Sequence, residues 1–300
     1  MTLSRLYPSA PPLSRLCLGA ATFGREIDQV AAFMLMDHAR AKGITLIDTA
    51  TNYSAGASET IVGAWLAARR PDPSALMVAT KIYPPYTPDA IDAAVTASAG
   101  RIGVKTIDVL YLHKWDATAE TPEAMKTLHQ LVESGRVRAL GVSNFNAAQL
   151  KTVLALQADA GSTRFRLLQN NNNLAIRDVD VPLRALCVAH DIAIVTYSPL
   201  GAGFLTGKHR QGIEPGSRFA VSPGHRDVYL HPLAEQRLAR LADISARTRY
   251  SMTELALAWA IHHPGVSSVL VGGRGPQHID QALSAAALNL PEIFAELERD

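Results

Sequence analysis

Only two cysteines occur among 300 residues, which excludes a disulfide-stapled scaffold and any thiolate-rich metal site. They are Cys17, in an expected strand, and Cys187, in an expected helix; lacking metal-ligand spacing, both read as small buried hydrophobes. Long apolar runs are missing too. No segment approaches the roughly 20 apolar residues of a membrane-spanning helix, and the opening MTLSRLYPSAPPLSRLCLGAATFG holds no signal-peptide core. A cytoplasmic protein is expected. Nor does charge of one sign accumulate: 29 basic and 27 acidic residues are interspersed, with a net charge of +2. This gives no footprint for nucleic acid or for an anionic membrane. Neither HxH nor HExxH occurs, and Gly19 and Gly24 do not make the GxGxxG of an open dinucleotide-binding sheet.

What is present is a periodic alternation of apolar strands and amphipathic helices. Hydrophobic residues make up 48% of the chain and charged residues 19%, enough to bury one large core. The run LCLGAA within Leu13–Gly24 reads as a first strand, closing on Thr22, Phe23 and a turn relieved by Gly24. A helix follows over Gln29–Ala41, with an apolar face through Val30, Phe33, Met34 and Met36 and a stop at Gly43. Further strands are expected at Ile44–Asp48, Leu76–Lys81, Ile107–His113, Val137–Asn144, Phe165–Gln169, Ile192–Ser198 and Val266–Gly273. Helices are expected over about Ser58–Arg69, Pro88–Gly100, Pro122–Ser134, Ala147–Ala160, Val181–His190, Leu233–Arg247, Met252–His262 and Pro276–Ala287. Between Pro199 and His231 the periodicity fails and Gly and Pro accumulate, the pattern of a functional lid loop. Eight strand–helix units without a linker predict a single (β/α)8 TIM barrel spanning residues 1–300.

In such a barrel the C-terminal strand ends converge on one pocket. Asp48, Lys81 and His113 each end a strand, and Tyr53 lies one short loop beyond the first. Each has an ordinary structural reading: Asp48 as a turn brace, Lys81 as a solvated strand end, His113 as a satisfied core histidine. Together their chemistry is complementary. A tyrosine hydroxyl ordinarily titrates at about pH 10, and a neighbouring ammonium stabilises its phenolate. Lys81 is placed to do this, Asp48 to hold the lysine charged, and a neutral His113 to orient a carbonyl oxygen or relay its proton. The set suits protonation of a carbonyl oxygen as hydride reaches its carbon. A metal-dependent barrel hydrolase, whose activity chelators would abolish, is the competing reading of histidine and aspartate at strand ends.

The segments DTATNYSAGASE, Thr80–Lys81 and YLHKWD resemble those carrying the catalytic aspartate, tyrosine, lysine and histidine of the aldo-keto reductases, and the resemblance runs over nearly the whole chain. It implies a metal-free NADP-dependent reduction of a small-molecule aldehyde or ketone with Tyr53 as general acid. It also implies a coenzyme site. GVSNF resembles the segment whose serine and asparagine, here Ser143 and Asn144, bond the nicotinamide carboxamide, with Gln169 sharing that role. In YSPLGAGFLTGK, Tyr197 is expected to stack on the nicotinamide, and Ser198, Leu200 and Gly201 to cradle the pyrophosphate. LVGGRGPQHIDQAL supplies Gly272 and Arg274 for a 2′-phosphate at a helix N-terminus. There His278, Gln281 and Ala282 depart from the family's usual adenine-binding residues, so NADP(H) is the preferred coenzyme and NAD(H) is not excluded. Phe23, Tyr83 and Trp115 follow strand ends and are expected to wall the substrate, or else simply to pack under loops. An alternative function also follows, a cofactor-sensing regulatory subunit, because potassium-channel β subunits resemble the same family. Nothing in the sequence specifies an oligomeric state.

Overall fold

Eight apolar runs form eight parallel strands: β1 (Leu16–Gly19), β2 (Leu46–Asp48), β3 (Met77–Ile82), β4 (Ile107–Leu112), β5 (Val137–Ser143), β6 (Phe165–Asn171), β7 (Ala193–Tyr197) and β8 (Val266–Val271). In the computed structural model, which describes residues 5–210 and 212–299, they pair in chain order and β8 returns to β1. The result is a closed (β/α)8 barrel, as the alternation predicts.

Around it run α1 (Gln29–Ala41), α2 (Ala57–Arg69), α3 (Pro88–Ile102), α4 (Pro122–Glu133), α5 (Ala147–Asp159) and α6 (Val181–Ala189). After β7 come α7 (Arg218–Val221), α8 (Gly224–Tyr229), α9 (Pro232–Arg247) and α10 (Met252–His262); α11 (Gln277–Ala286) and α12 (Pro291–Leu297) follow β8. Local chemistry sets these starts. Proline occupies the first turn of α3, α4, α6 and α9, where its missing N–H costs nothing. Asn146 with Gln149, and Ser251 with Glu254, form capping boxes that satisfy the first amides of α5 and α10.

Two of the three apolar clusters among the described residues form the layers of the barrel. One fills the barrel with Cys17, Leu46, Met77, Val109, Tyr111, Leu167 and Val195; the other lies between the strands and the helices. Both cysteines are buried thiols, and burial pushes each up to about 12. In the interior layer Gly141 makes room for Tyr111, since a Cβ there would stand 2.6 Å from the tyrosine ring. No helix among the described residues is long and apolar enough to cross a membrane.

Two expectations need correction. The buried face of α1 is Ala32, Leu35, Met36 and Ala39, whereas Val30 and Met34 are 69% and 59% exposed. Hydrophobic type alone misplaces the stripe by part of a turn, because alanine fills the close approach to the barrel. The segment after Pro199 is not structureless: a 3-10 turn over Gly201–Thr206 and the short helices α7 and α8 order it, with Gln211 outside the described residues. Its anchor is a stack of Phe204, Phe219 and Tyr229, with ring centroids 6.0–6.4 Å apart. Burying one such ring contributes roughly 1.5–3 kcal/mol. The structure adds α12, whose seven residues are too few to show a period.

Candidate active site

The strand ends place Lys81 at the centre of the proposed tetrad. Its ammonium is fully buried and ion-paired with Asp48 Oδ1. It also donates to the Thr49 carbonyl at 2.9 Å and to Tyr53 Oη at 3.3 Å. The second oxygen of Asp48 accepts from Gln169 Nε2 at 2.9 Å. Burial works against the ammonium, but the Asp48 carboxylate and the Tyr53 phenol outweigh it and hold the Lys81 pKa above lysine's ordinary value. For Asp48, burial pushes the carboxyl up against the opposing pull of Lys81 and Gln169.

Tyr53 opens a 3-10 turn in which Ser54 and Ala55 both adopt left-handed backbone, φ 50° and 53°. Such geometry costs about 1–3 kcal/mol per non-glycine residue and persists only where surrounding contacts impose it. Here Ser54 Oγ donates to the Phe23 carbonyl at 2.9 Å, fastening the tyrosine loop to the loop after β1. His113 presents its ring edgewise to Tyr53 (centroids 5.8 Å) and to Tyr83 (5.3 Å). Burial, then the charges of Lys81 and Lys114, push its pKa down to about 3, and its buried Nδ1 has no partner among the described residues. A neutral imidazole therefore stands beside the phenol.

His263 behaves alike at the far end of the barrel: burial and the nearby Arg184 and Arg177 push it down to about 4. Both folded-state values lie below the unfolded one of about 6.5, so the unfolded chain binds more protons as the pH drops. Their stabilisation is complete above the unfolded value and is lost as pH falls toward the folded one. From pH 7 to pH 5 each should cost about 2 kcal/mol. Urea denaturation of the wild type and His263→Asn at the two pH values checks this: the variant should lose less stability on acidification, and equal losses would refute it.

Sequence reasoning missed the support under this cluster. Ser58 and Glu59 start α2 as expected, but Glu59 is also fully buried, accepting from Thr80 Oγ1 at 2.5 Å and Arg101 Nε at 2.6 Å. Ser58 Oγ donates to the Ala20 carbonyl and lies 2.8 Å from Thr49 Oγ1. These bonds brace the residues flanking Asp48 and Lys81. The only available signal was a carboxylate in the same segment as the tyrosine, with nothing local to show that Arg101 meets it.

Asn144 ties four strand ends together. Its left-handed backbone (φ 61°) lets its amide donate to Asn170 Oδ1 at 2.9 Å, its side chain donates to the His113 carbonyl at 2.8 Å, and its Oδ1 accepts from Tyr197 Oη at 2.7 Å. Ser143 Oγ accepts from Asn144 at 3.1 Å, and its proton has no partner among the described residues. Gln169, expected to share in coenzyme binding, gives one of its two side-chain N–H groups to Asp48. A free hydroxyl proton beside an aromatic ring fixed through its own hydroxyl is a donor set that fits an amide-bearing planar ring.

The segment after β7 completes the open end of the barrel. Ser198 and Gly201 have left-handed backbone, and a Cβ at Gly201 would sit 3.0 Å from the Tyr229 ring. Asn173 Nδ2 donates to the Ser198 carbonyl at 2.8 Å, and Tyr229 Oη bonds with Asn171. Leu200, also expected at the coenzyme, packs partly buried against the core. Arg218 of α7 pairs with the buried Glu26 at 2.7 Å, and Arg274 donates to the Gly216 carbonyl at 2.5 Å, fastening this segment on two sides. Beyond β8, Gly272 is exposed, His278 lies 3.0 Å from the Gly275 carbonyl, and Gln281 is exposed; Ala282 is on the buried face of α11.

Of the three aromatic wall candidates, two reach the surface of the mouth: Tyr83 is 45% and Trp115 37% exposed, with Trp115 Nε1 bonded to Glu120 at 2.8 Å. Phe23 is fully buried in the layer between strands and helices, so it supports the mouth from beneath and leaves the wall to the other two. Among the described residues no group of three or more His, Cys, Asp or Glu side chains is arranged to hold a metal ion.

Comparison with known proteins identifies a family and several relatives. The family described as "Aldo/keto reductase family" matches residues 15–297. Norsolorinic acid reductase B of Dothistroma septosporum is 31% identical, over 99% of this chain and 80% of that protein. Versiconal hemiacetal acetate reductase of Aspergillus parasiticus is 26% identical over 99% and 96%. A probable voltage-gated potassium channel subunit beta of Arabidopsis thaliana is 28% identical over 100% and 96%.

Proposed function

The chain belongs to the aldo/keto reductase family of oxidoreductases, and from that premise we propose that it reduces an aldehyde or ketone to an alcohol, with NADPH as reductant and Tyr53 as general acid. The observation that carries this reading is the buried Lys81 ammonium held between Asp48 and Tyr53 Oη. When bound, the nicotinamide coenzyme supplies a hydride to the carbonyl carbon. Tyr53 then gives its hydroxyl proton to the carbonyl oxygen, and the 3.3 Å contact from Lys81 stabilises the phenolate that this leaves. Asp48 keeps Lys81 in its charged form, and neutral His113 orients the oxygen toward Tyr53.

Ser143, Asn144 and Gln169 would hold the carboxamide, Tyr197 the ring face, and Ser198, Leu200 and Gly201 the pyrophosphate. Gly272, Arg274, His278 and Gln281 would take the adenosine end. Tyr83 and Trp115 present aromatic faces to a substrate. A panel of aldehydes, ketones and sugar alcohols, followed by nicotinamide absorbance with NADPH and NADH in parallel, tests the proposal; no turnover of any carbonyl with either coenzyme would refute it. Arg274 gives a sharper check. If it pairs with the 2′-phosphate, Arg274→Ala should weaken NADPH by about tenfold or more, the worth of a charge-assisted hydrogen bond, and leave NADH unchanged. Equal losses for both coenzymes would remove the assignment.

The likeness to the Arabidopsis channel subunit favours a second reading, a cofactor-sensing regulatory protein. Steady turnover with small carbonyls supports the enzyme. Tight NADP(H) retention with negligible turnover, together with a stable membrane-protein partner, supports the regulator.

A further inference from the structure

We propose that the end of the barrel opposite the tetrad carries a second binding site, a cleft for a medium-chain alkyl carboxylate. It lies where α2 and α3 end against the starts of β3 and β4, with a volume of about 350 Å3. Leu66, Val78, Ile102, Val104 and Ile107 give it aliphatic walls, and no aromatic ring among the described residues lines it. An apolar cavity of this size suits a small ligand, and the absence of aromatic walls favours an alkyl chain over a planar ring.

The charges at the cleft specify the head group. Arg70, Lys105 and Arg138 line it together with a single carboxylate, Asp108. Asp108 is already committed: it accepts from Tyr7 Oη and from the Val78 amide, each at 2.9 Å, and pairs with Arg138 at 3.2 Å. The side chains of Arg70 and Lys105 are exposed and make no hydrogen bond or ion pair with any described residue. Two uncompensated cations thus stand over an aliphatic floor. A carboxylate answers the cations and a hydrocarbon tail the floor, so the ligand must have both. Arg70 also ends α2 in left-handed backbone (φ 44°), where Gly103 does the same after α3. A helix stop needs no arginine there. The cleft is separate from the catalytic cluster, because Val78 and Ile107 open β3 and β4 while Lys81 and His113 stand at the far ends of those strands.

Titration calorimetry of the full chain with hexanoate, octanoate and decanoate, each below its micelle concentration, tests this. One saturable site is expected, with affinity rising about fourfold per added methylene. Octanol, which lacks the charge, should bind about tenfold or more weaker than octanoate. Arg70→Gln/Lys105→Gln removes only exposed side chains and should weaken octanoate to a similar extent with the circular dichroism spectrum unchanged. Lys114→Gln, at the opposite mouth, should leave binding as it was. Absence of saturable binding, equal affinity for octanol, an unaffected double variant, or loss in Lys114→Gln alone would each overturn the proposal.

Discussion

Tyr53→Phe is expected to lower the rate of carbonyl reduction by about 10²–10⁴-fold, the usual worth of a positioned general acid, while coenzyme affinity stays as it was. The substitution removes one atom that matters and little else. Phenylalanine keeps the ring that meets His113 edgewise at 5.8 Å and lies 4.8 Å from the Lys81 ammonium. Lys81 loses one acceptor but keeps Asp48 and the Thr49 carbonyl, so the buried charge remains satisfied. The loss should therefore fall on kcat and kcat/KM with the melting temperature unchanged. Steady-state kinetics beside a fluorescence titration of NADPH separates the two quantities. Retention of the original rate with normal coenzyme binding would remove Tyr53 from the chemistry.

The contrast between Asp48 and Glu59 shows what kind of information the sequence holds. Asp48, Lys81 and His113 could be found because each is the polar residue that closes an apolar strand, and a parallel barrel brings all such ends together. The same logic makes the eight units legible, since period two and period 3.6 are local properties. Glu59 was not legible because its significance lies in Arg101, 42 positions away. The bond from Gln169 to Asp48 spans 121 positions and engages one N–H of an amide that the resemblance assigns to coenzyme. Phe23 fails as a wall residue for a related reason: following a strand end fixes its neighbourhood, and only packing decides that it turns inward. Pairings between distant side chains leave no periodic trace, so the meeting of the four candidate residues was legible while the bonds that brace them were not.

Asp48→Ala should destabilise the fold by about 3–5 kcal/mol, the cost of breaking one side of a buried ion pair. Without the carboxylate, the Lys81 ammonium would stay fully buried with only the Thr49 carbonyl and Tyr53 Oη as partners. The Asp48 charge is the larger of the two forces that hold the lysine pKa up against burial, so its removal lets burial dominate and the pKa falls. Gln169 Nε2 loses its acceptor in the same step. Two penalties thus combine, an uncompensated cation and an orphaned amide, and the double variant Asp48→Asn/Lys81→Met removes both. Asparagine can still accept from Gln169, and methionine removes the charge at similar length, so the double variant should recover most of the stability while remaining inactive. Urea denaturation followed by circular dichroism measures both. If the double variant is as unstable as Asp48→Ala, neither the buried charge nor the orphaned amide is the source of the loss, and the role given to Asp48 as the counter-ion of Lys81 fails with it.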